Sequence, residues 1–145
     1  MSLRIAAQLL AEIHGHAEQH YPEEGAGLIL GSLNGDERSA RSVLPVNNTF
    51  EAQQRGRRYL IDTQDILKAE DEAQRQGLSV VGVFHSHPDH PPTPSKFDVD
   101  RAVPWLIYLI TAVRQGVAEQ TRAWRLQEEH SEMVEEQLAI DQEAR

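Results

Sequence analysis

His85-Ser86-His87, followed after seven residues by Ser95 and three further on by Asp98, is the chemical centre of this sequence. Imidazole nitrogens and carboxylate oxygens are the ligands of catalytic zinc sites, which use three protein ligands and keep a fourth position open for water. The residues just ahead, Leu78 to Phe84 (LSVVGVF), are apolar and valine-rich, so they read as a buried strand. On a strand, residues i and i+2 point to the same face, which brings His85 and His87 to one point. The loop that follows holds four of the chain's seven prolines, at positions 88, 91, 92 and 94. Proline lowers the entropy of an unfolded loop. A loop that must return a carboxylate to within about 2 Å of a metal gains from that stiffness. Ser95 and Asp98 also have the spacing of a helix cap and its third residue. The two readings coexist if Ser95 starts a helix whose first turn carries Asp98.

The elements that must position these residues follow from periodicity. Leu3 to His20 reads as an amphipathic helix, with Ile5, Leu9, Ile13 and Ala17 four apart. Tyr21-Pro22 ends it. Leu28-Ile29-Leu30 is a strand, Asn34-Gly35 a tight turn, and Ser39 to Pro45 a second strand. Asn47-Asn48 open a loop, and Arg58 to Asp62 (RYLID) reads as a short strand. Asp62 or Thr63 caps a helix to about Gln76, with Gly77 as its stop. After the ligand strand come a helix from Ser95 to about Val103, a buried strand from Trp105 to Ile110, a turn at Gln115-Gly116 and a strand from Thr121 to Gln127. Glu128 to Glu132 is polar, and Met133 to Ile140 adds an edge strand. The order α-β-β-β-α-β-α-β-β gives an α/β fold, a mixed sheet with helices packed against it. No internal repeat or linker interrupts residues 1–145, so the chain reads as a single domain.

Composition excludes several functions. With no cysteine there is no disulfide, thiolate zinc ribbon or thiol nucleophile, and a Cys-ligated zinc deaminase is ruled out. A net charge of −9 argues against nucleic acid as a partner. No apolar run reaches membrane-spanning length, so no membrane is expected, and the N-terminus lacks a signal-type block, which points to the cytoplasm. Arginine outnumbers lysine 12 to 2. His16 and His20, four apart on the first helix with Glu18 between, imitate a His-Glu-x-x-His motif. The glutamate stands one position late and no third ligand is near, so they read as a solvated helix face. His14 and His130 read as surface residues, His90 as a loop residue within reach of the metal or substrate, and Trp105, Tyr108 and Trp124 as core.

The pattern His85-x-His87-x7-Ser95-x2-Asp98 resembles the signature of the JAMM, or MPN+, zinc metallopeptidases, which include the deubiquitinases of the proteasome lid and signalosome and small stand-alone prokaryotic members. That family also carries an upstream glutamate at a helix end, in a Pro-x-Glu-x-Cys-Gly type of segment. Here Pro22-Glu23-Glu24-Gly25-Ala26-Gly27 stands in that place, and Glu24 matches the catalytic position. Ala26 replaces the frequent cysteine, which is not a zinc ligand. The resemblance spans nearly the whole chain and implies an MPN-type α/β domain. It implies Zn²⁺ held by His85, His87 and Asp98, Glu24 as general base and Ser95 as oxyanion donor, with Glu23 solvated. Thr93 and the Asn47-Asn48 loop become rim contacts. The implied reaction is hydrolysis of a peptide or isopeptide bond after the C-terminal Gly-Gly of a ubiquitin-like or sulfur-carrier protein, whose tail adds as a strand to an exposed sheet edge. The alternative is a non-catalytic MPN module that binds ubiquitin-like proteins.

Overall fold

The computed structural model describes residues 1–127 and 131–142. Seven strands form one sheet that closes on itself. β1 is Ser2–Ala6, β2 Ala26–Asn34, β3 Glu37–Val46, β4 Ser79–Pro88, β5 Ile107–Arg114, β6 Val117–Gln127 and β7 Glu132–Asp141. Around the barrel they run β1-β3-β2-β4-β5-β6-β7 and back to β1. The sheet is mixed, as expected: β4–β5, β1–β3 and β1–β7 are parallel, and the remaining neighbours antiparallel. Three helices pack on it: α1 (Ala7–His20), α2 (Thr63–Arg75) and α3 (Lys96–Arg101).

The first helix starts later than its four-residue periodicity suggests. Leu3, Arg4 and Ile5 alternate buried, exposed, buried, which is strand periodicity. These residues pair with β3 on one side and β7 on the other, closing the barrel. Leu3 and Ile5 enter the core, and α1 adds Leu10, Ile13 and Ala17. Closure also corrects the reading of residues 133–140 as an edge. β7 pairs with β6 through residues 132–136 and with β1 through residues 137–141. Among the described residues every strand has a neighbour on both sides, although β3 beyond Ser39 and β6 before Ala123 are paired on one side only.

RYLID is not a strand. Residues 58–62 run extended, but the place of a partner strand is taken by Asn48, whose Oδ1 accepts from Leu60 N at 3.1 Å and whose Nδ2 donates to Arg58 O at 2.9 Å. A buried amide that satisfies the backbone replaces a ladder. The strand expected over 105–110 is shifted to Ile107–Arg114, and Trp105 is 66% exposed rather than core.

Two apolar clusters result. One fills the barrel, with Leu3, Ile5, Ile29, Val81, Phe84 and Leu109 beneath α1. The other lies under α2, where Ala69 and Ala73 cover Leu28, Leu30 and Val83. On β2, Ile29 faces one cluster and its neighbours Leu28 and Leu30 the other, the period-2 alternation of a sheet covered on both sides. Gly27 sits between Phe84 and the backbone of Leu44, and a Cβ there would collide with the Phe84 ring.

Candidate active site

The ligand strand is held by ordinary sheet pairing. β4 lies between β2 and β5, with His85 opposite Ala26 and Ile110, and His87 opposite Ala112. Both histidines face one side and are buried, their rings 5.1 Å apart. His87 Nδ1 is 2.9 Å from the Pro91 carbonyl. A carbonyl only accepts, so Nδ1 carries a proton; Nε2 donates to Asp98 Oδ2 when it too is protonated, and is the nitrogen left to bind a metal when the ring is neutral. Pro91 thus fixes the tautomer of a ring four residues back. Tyr59 stacks on His85 with centroids 4.3 Å apart and planes 22° apart. Its burial pushes the phenol pKa well up and keeps it neutral.

Ser95 and Asp98 adopt the capping arrangement their spacing suggested. Ser95 Oγ accepts from Asp98 N at 3.1 Å, and Ser95 N donates to Asp98 Oδ2 at 2.9 Å. The cap aims the carboxylate inward. Asp98 Oδ2 is 3.0 Å from His87 Nε2, and Oδ1 is 3.6 Å from His85 Nε2. Because Ser95 Oγ accepts in the cap, its O–H remains free to donate.

Glu24 arrives from the other side, 3% exposed, with Oε1 3.4 Å from His85 Nδ1. It belongs to no helix or strand. Its N–H donates to Arg55 O at 2.7 Å, its carbonyl accepts from Asn48 Nδ2 at 3.0 Å, and the next N–H, of Gly25, donates to Ser86 Oγ at 2.8 Å. Ser86, between the two histidines, therefore ties the base-bearing segment to the ligand strand. A second tie lies at the surface. Tyr21 donates its O–H to Asp89 Oδ2 at 2.6 Å, and Asp89 Oδ1 accepts from Gln115 N at 2.8 Å. Glu23, next in the chain to Glu24, is half-buried.

The electrostatics ask for a cation. Burial alone would raise the Asp98 pKa, but the charge of His85, the hydrogen bond from His87 and the Ser95 N–H hold it at about 2. Burial alone would lower the His87 pKa, but the hydrogen bond to Asp98 and the charges of Glu24 and Asp98 raise it. Both nitrogens of His85 and Oε1 of Glu24 are buried without a hydrogen-bond partner. Such groups are costly unless something completes them. Donor atoms of Glu24, His85 and His87 lie within 4.8 Å of one another, close enough to share a metal ion. The site opens into a cleft of about 300 Å³ lined by Arg57, His90, Thr93 and Ser95. A larger groove, about 770 Å³, lies between Arg4, Arg41 and Asp141 and holds none of these residues.

The other histidines stand apart. His16 and His20 are not a solvated face: both are half-buried, their rings 4.3 Å apart, with His16 edge-on to Phe84. His14 is half-buried and bonded to Thr121 at 2.8 Å. His130 lies outside the described residues. His90 and Thr93 line the cleft. Asn48 is buried and is not a rim contact. Trp124 does more than fill the core, since its Nε1 donates to Pro92 O at 3.0 Å and holds the proline-rich loop. Tyr108 is buried as expected. Ser86, Asn48, Tyr59 and the Tyr21–Asp89 pair are positioning residues that spacing did not reveal. Asn48 had one signal in the sequence, a polar side chain just after a strand and before an extended segment that needed a partner.

The chain is similar to known proteins in sequence and fold. Residues 6–127 match the family described as prokaryotic homologs of the JAB domain. The chain is 34% identical over 115 residues to a probable TtuB-protein conjugate cleaving protease of Thermus thermophilus, spanning 77% of this chain and 73% of that protein. It is 30% identical over 102 residues to a desampylase of Pyrococcus furiosus, spanning 70% and 69%. A protein of Desulfitobacterium hafniense solved in solution superposes with a TM-score of 0.85 at 27% identity, covering 97% of this chain and 94% of that one. A Salinibacter ruber protein gives 0.74 at 37% identity, covering 94% and 90%. With sequence pattern, barrel and buried Glu-His-His group in agreement, the chain belongs to the prokaryotic JAB family of JAMM-type domains.

Proposed function

We propose that this protein is a zinc metallopeptidase that hydrolyses the peptide or isopeptide bond after the C-terminal Gly-Gly of a ubiquitin-like or sulfur-carrier protein. The observation that carries the chemistry is the set of buried groups lacking partners around His85. His85, His87 and Asp98 would hold the ion, and Glu24, whose Oε1 lies beside His85 Nδ1, would be left free to act as base. Zinc suits two imidazoles and a carboxylate, and when bound it supplies a Lewis acid and lowers the pKa of a coordinated water to about 7.

The chain's own groups do the rest. Glu24 takes a proton from the attacking water as the new C–O bond forms. It then delivers that proton to the departing nitrogen as the C–N bond breaks, releasing a carboxylate and an amine. Ser95 donates its free O–H to the oxygen on which charge develops. The Pro91 carbonyl, accepting from Nδ1, holds His87 in the tautomer that would bind metal through Nε2. The substrate tail lies in the cleft between Arg57 and the proline-rich loop, where glycines pass and larger side chains are excluded. The relatives named as a conjugate-cleaving protease and a desampylase support this substrate class.

Two measurements test the reading. Elemental analysis should find one zinc per chain in loaded protein, and His85→Ala with His87→Ala should abolish it; zinc retained in that double variant refutes the ligand assignment. A sulfur-carrier protein should then be offered in two forms, one extended by a single residue after Gly-Gly and one joined to a lysine side chain, and followed by intact mass. Cleavage of neither, with zinc bound, refutes the peptidase and leaves a binding module.

A further inference from the structure

Beside the catalytic cleft lies a second groove, of about 380 Å³ and largely apolar, between Leu60, Ile66 of α2, Phe97 of α3 and Trp105. Its exposed apolar residues include Trp105 at 66%. The chain as a whole is acidic, with 23 Asp and Glu against 14 Lys and Arg, yet the rim of this groove is cationic. Arg58 and Arg101 lie 5.0 and 5.2 Å from the centre of the Phe97 ring, and Arg57 reaches into the adjoining cleft. Elsewhere Arg4 pairs with Glu37 and Asp141, Arg75 with Asp71, Arg122 with Glu135 and Arg125 with Glu136, while Arg38, Arg41, Arg55 and Arg114 are also without a carboxylate at ion-pair distance among the described residues but are not gathered at one ring. Among the described residues, Arg57, Arg58 and Arg101 meet no carboxylate at ion-pair distance. Glu70 of α2 is the one carboxylate that lines the groove. The aromatic ring attracts each guanidinium, but two cations gathered at one ring repel each other. In a chain rich in carboxylates, a cationic cluster without a carboxylate partner of its own suits an anion supplied from outside.

We infer that this groove docks the body of the ubiquitin-like partner, and that it selects partners presenting an acidic face with an apolar centre. The inference rests on the proposed reaction, because groove and cleft meet at α3. Ser95 faces the cleft and Phe97, two residues on, faces the groove, so a body seated on Phe97 and Trp105 delivers its tail to the site. An acidic partner is repelled by most of this surface and attracted here, which orients it before contact. The apolar floor then contributes burial.

The test uses full-length zinc-loaded protein and two forms of one ubiquitin-fold carrier ending in Gly-Gly plus one residue. One form has an acidic face, and the other has those carboxylates changed to lysine. For the acidic form, KM should rise steeply between about 50 and about 500 mM NaCl. The variant Arg58→Glu with Arg101→Glu should raise KM for it by roughly tenfold or more and should favour the lysine form. Arg75→Glu, on the far turn of α2, controls for net charge and should not change the preference. Titration of both carriers into Glu24→Gln protein reads docking without turnover. Charge-dependent binding without cleavage by the unsubstituted enzyme overturns the proposed reaction and upholds the docking site. Equal KM for the two carriers, unaffected by salt and by Arg58/Arg101 reversal, overturns the docking site while the reaction stands.

Discussion

The two halves of the site are built by different means. His85 and His87 sit on β4, paired on both sides with β2 and β5, and a closed barrel leaves that strand almost no freedom. Glu24, Ser95 and Asp98 sit outside the sheet. Glu24 is held by an arginine carbonyl, a buried amide and a serine hydroxyl, and Ser95 and Asp98 by a single capped turn of helix. Two of the three proposed metal ligands are on the rigid element, whereas the third, Asp98, and the groups proposed to handle the proton and the developing charge are on segments fixed by a few side-chain bonds. Substitutions of His85, His87 or Asp98 should therefore lose metal, and those of Glu24 or Ser95 should lose rate with metal retained.

The largest rate effect on the loop side should come from Glu24→Gln. It keeps the size and removes the base, so zinc and fold should persist while kcat falls on the order of 10²-fold or more. Glu23→Gln, at the half-buried neighbour, should be near neutral. If zinc left with Glu24→Gln, the division between ligand strand and base segment would be wrong. Ser95→Ala should cost roughly 10–10³-fold in kcat by removing the oxyanion donor. It also breaks the α3 cap, worth about 1 kcal/mol, so melting temperature must be measured alongside; a loss accounted for by unfolding alone would leave Ser95 as a cap and nothing more.

Asn48 tests the same division from a distance. It touches no reacting group, yet its amide serves Glu24 O, Arg58 O, Phe50 N and Leu60 N. Asn48→Ala strands several buried backbone groups, at about 1–3 kcal/mol each before relaxation. Zinc content should hold, since β4 is untouched, while kcat should fall by roughly tenfold as Glu24 loses its anchor. Asn48→Asp keeps the acceptor and loses both donors, so it should restore the bonds to Phe50 and Leu60 but not that to Glu24. Full recovery of kcat with Asp would show that only the loop, and not the base, depends on Asn48.

The same contrast explains what was legible beforehand. The ligand strand, the capped helix start at Ser95 and the helix from Asp62 were readable because their periodicity and caps are local. So was the convergence of His85, His87 and Asp98. The N-terminal strand was hidden because Leu3, Ile5, Leu9 and Ile13 fit both a two-residue and a four-residue repeat, and only pairing with β7, more than 130 residues away, decides between them. Barrel closure was invisible for the same reason. RYLID was misread because propensity for a strand does not guarantee a partner, and here a side chain took the partner's place. Ser86 was in plain view between the histidines, but its bond to Gly25 spans 61 positions.

The smallest effect, and the one most specific to the ligand side, is in the pH dependence of the metal-free protein. Asp98 is depressed from 3.8 to about 2. A depressed carboxylate contributes stability that is complete above its unfolded pKa and is lost as pH falls through the folded value, here from about pH 4 down to about 2. One unit corresponds to 1.36 kcal/mol, so the contribution is about 2 kcal/mol. His87 has the opposite sign. Its raised pKa gives stability that is complete below the unfolded value of 6.5 and is lost as pH rises through the higher folded value. Asp98 and His87 together should therefore contribute most between about pH 4 and 6.5 and less on both sides, while the lowered His14 and His16 act the other way below 6.5. Zinc requires His87 neutral and displaces its proton, so loading should remove the alkaline loss and leave the gap between loaded and metal-free melting temperatures widening as pH rises. In His87→Ala the alkaline limb of the metal-free curve should vanish. If it persists, the raised pKa belongs to another group and the pairing of His87 with Asp98 is not what holds the ligand site together without metal.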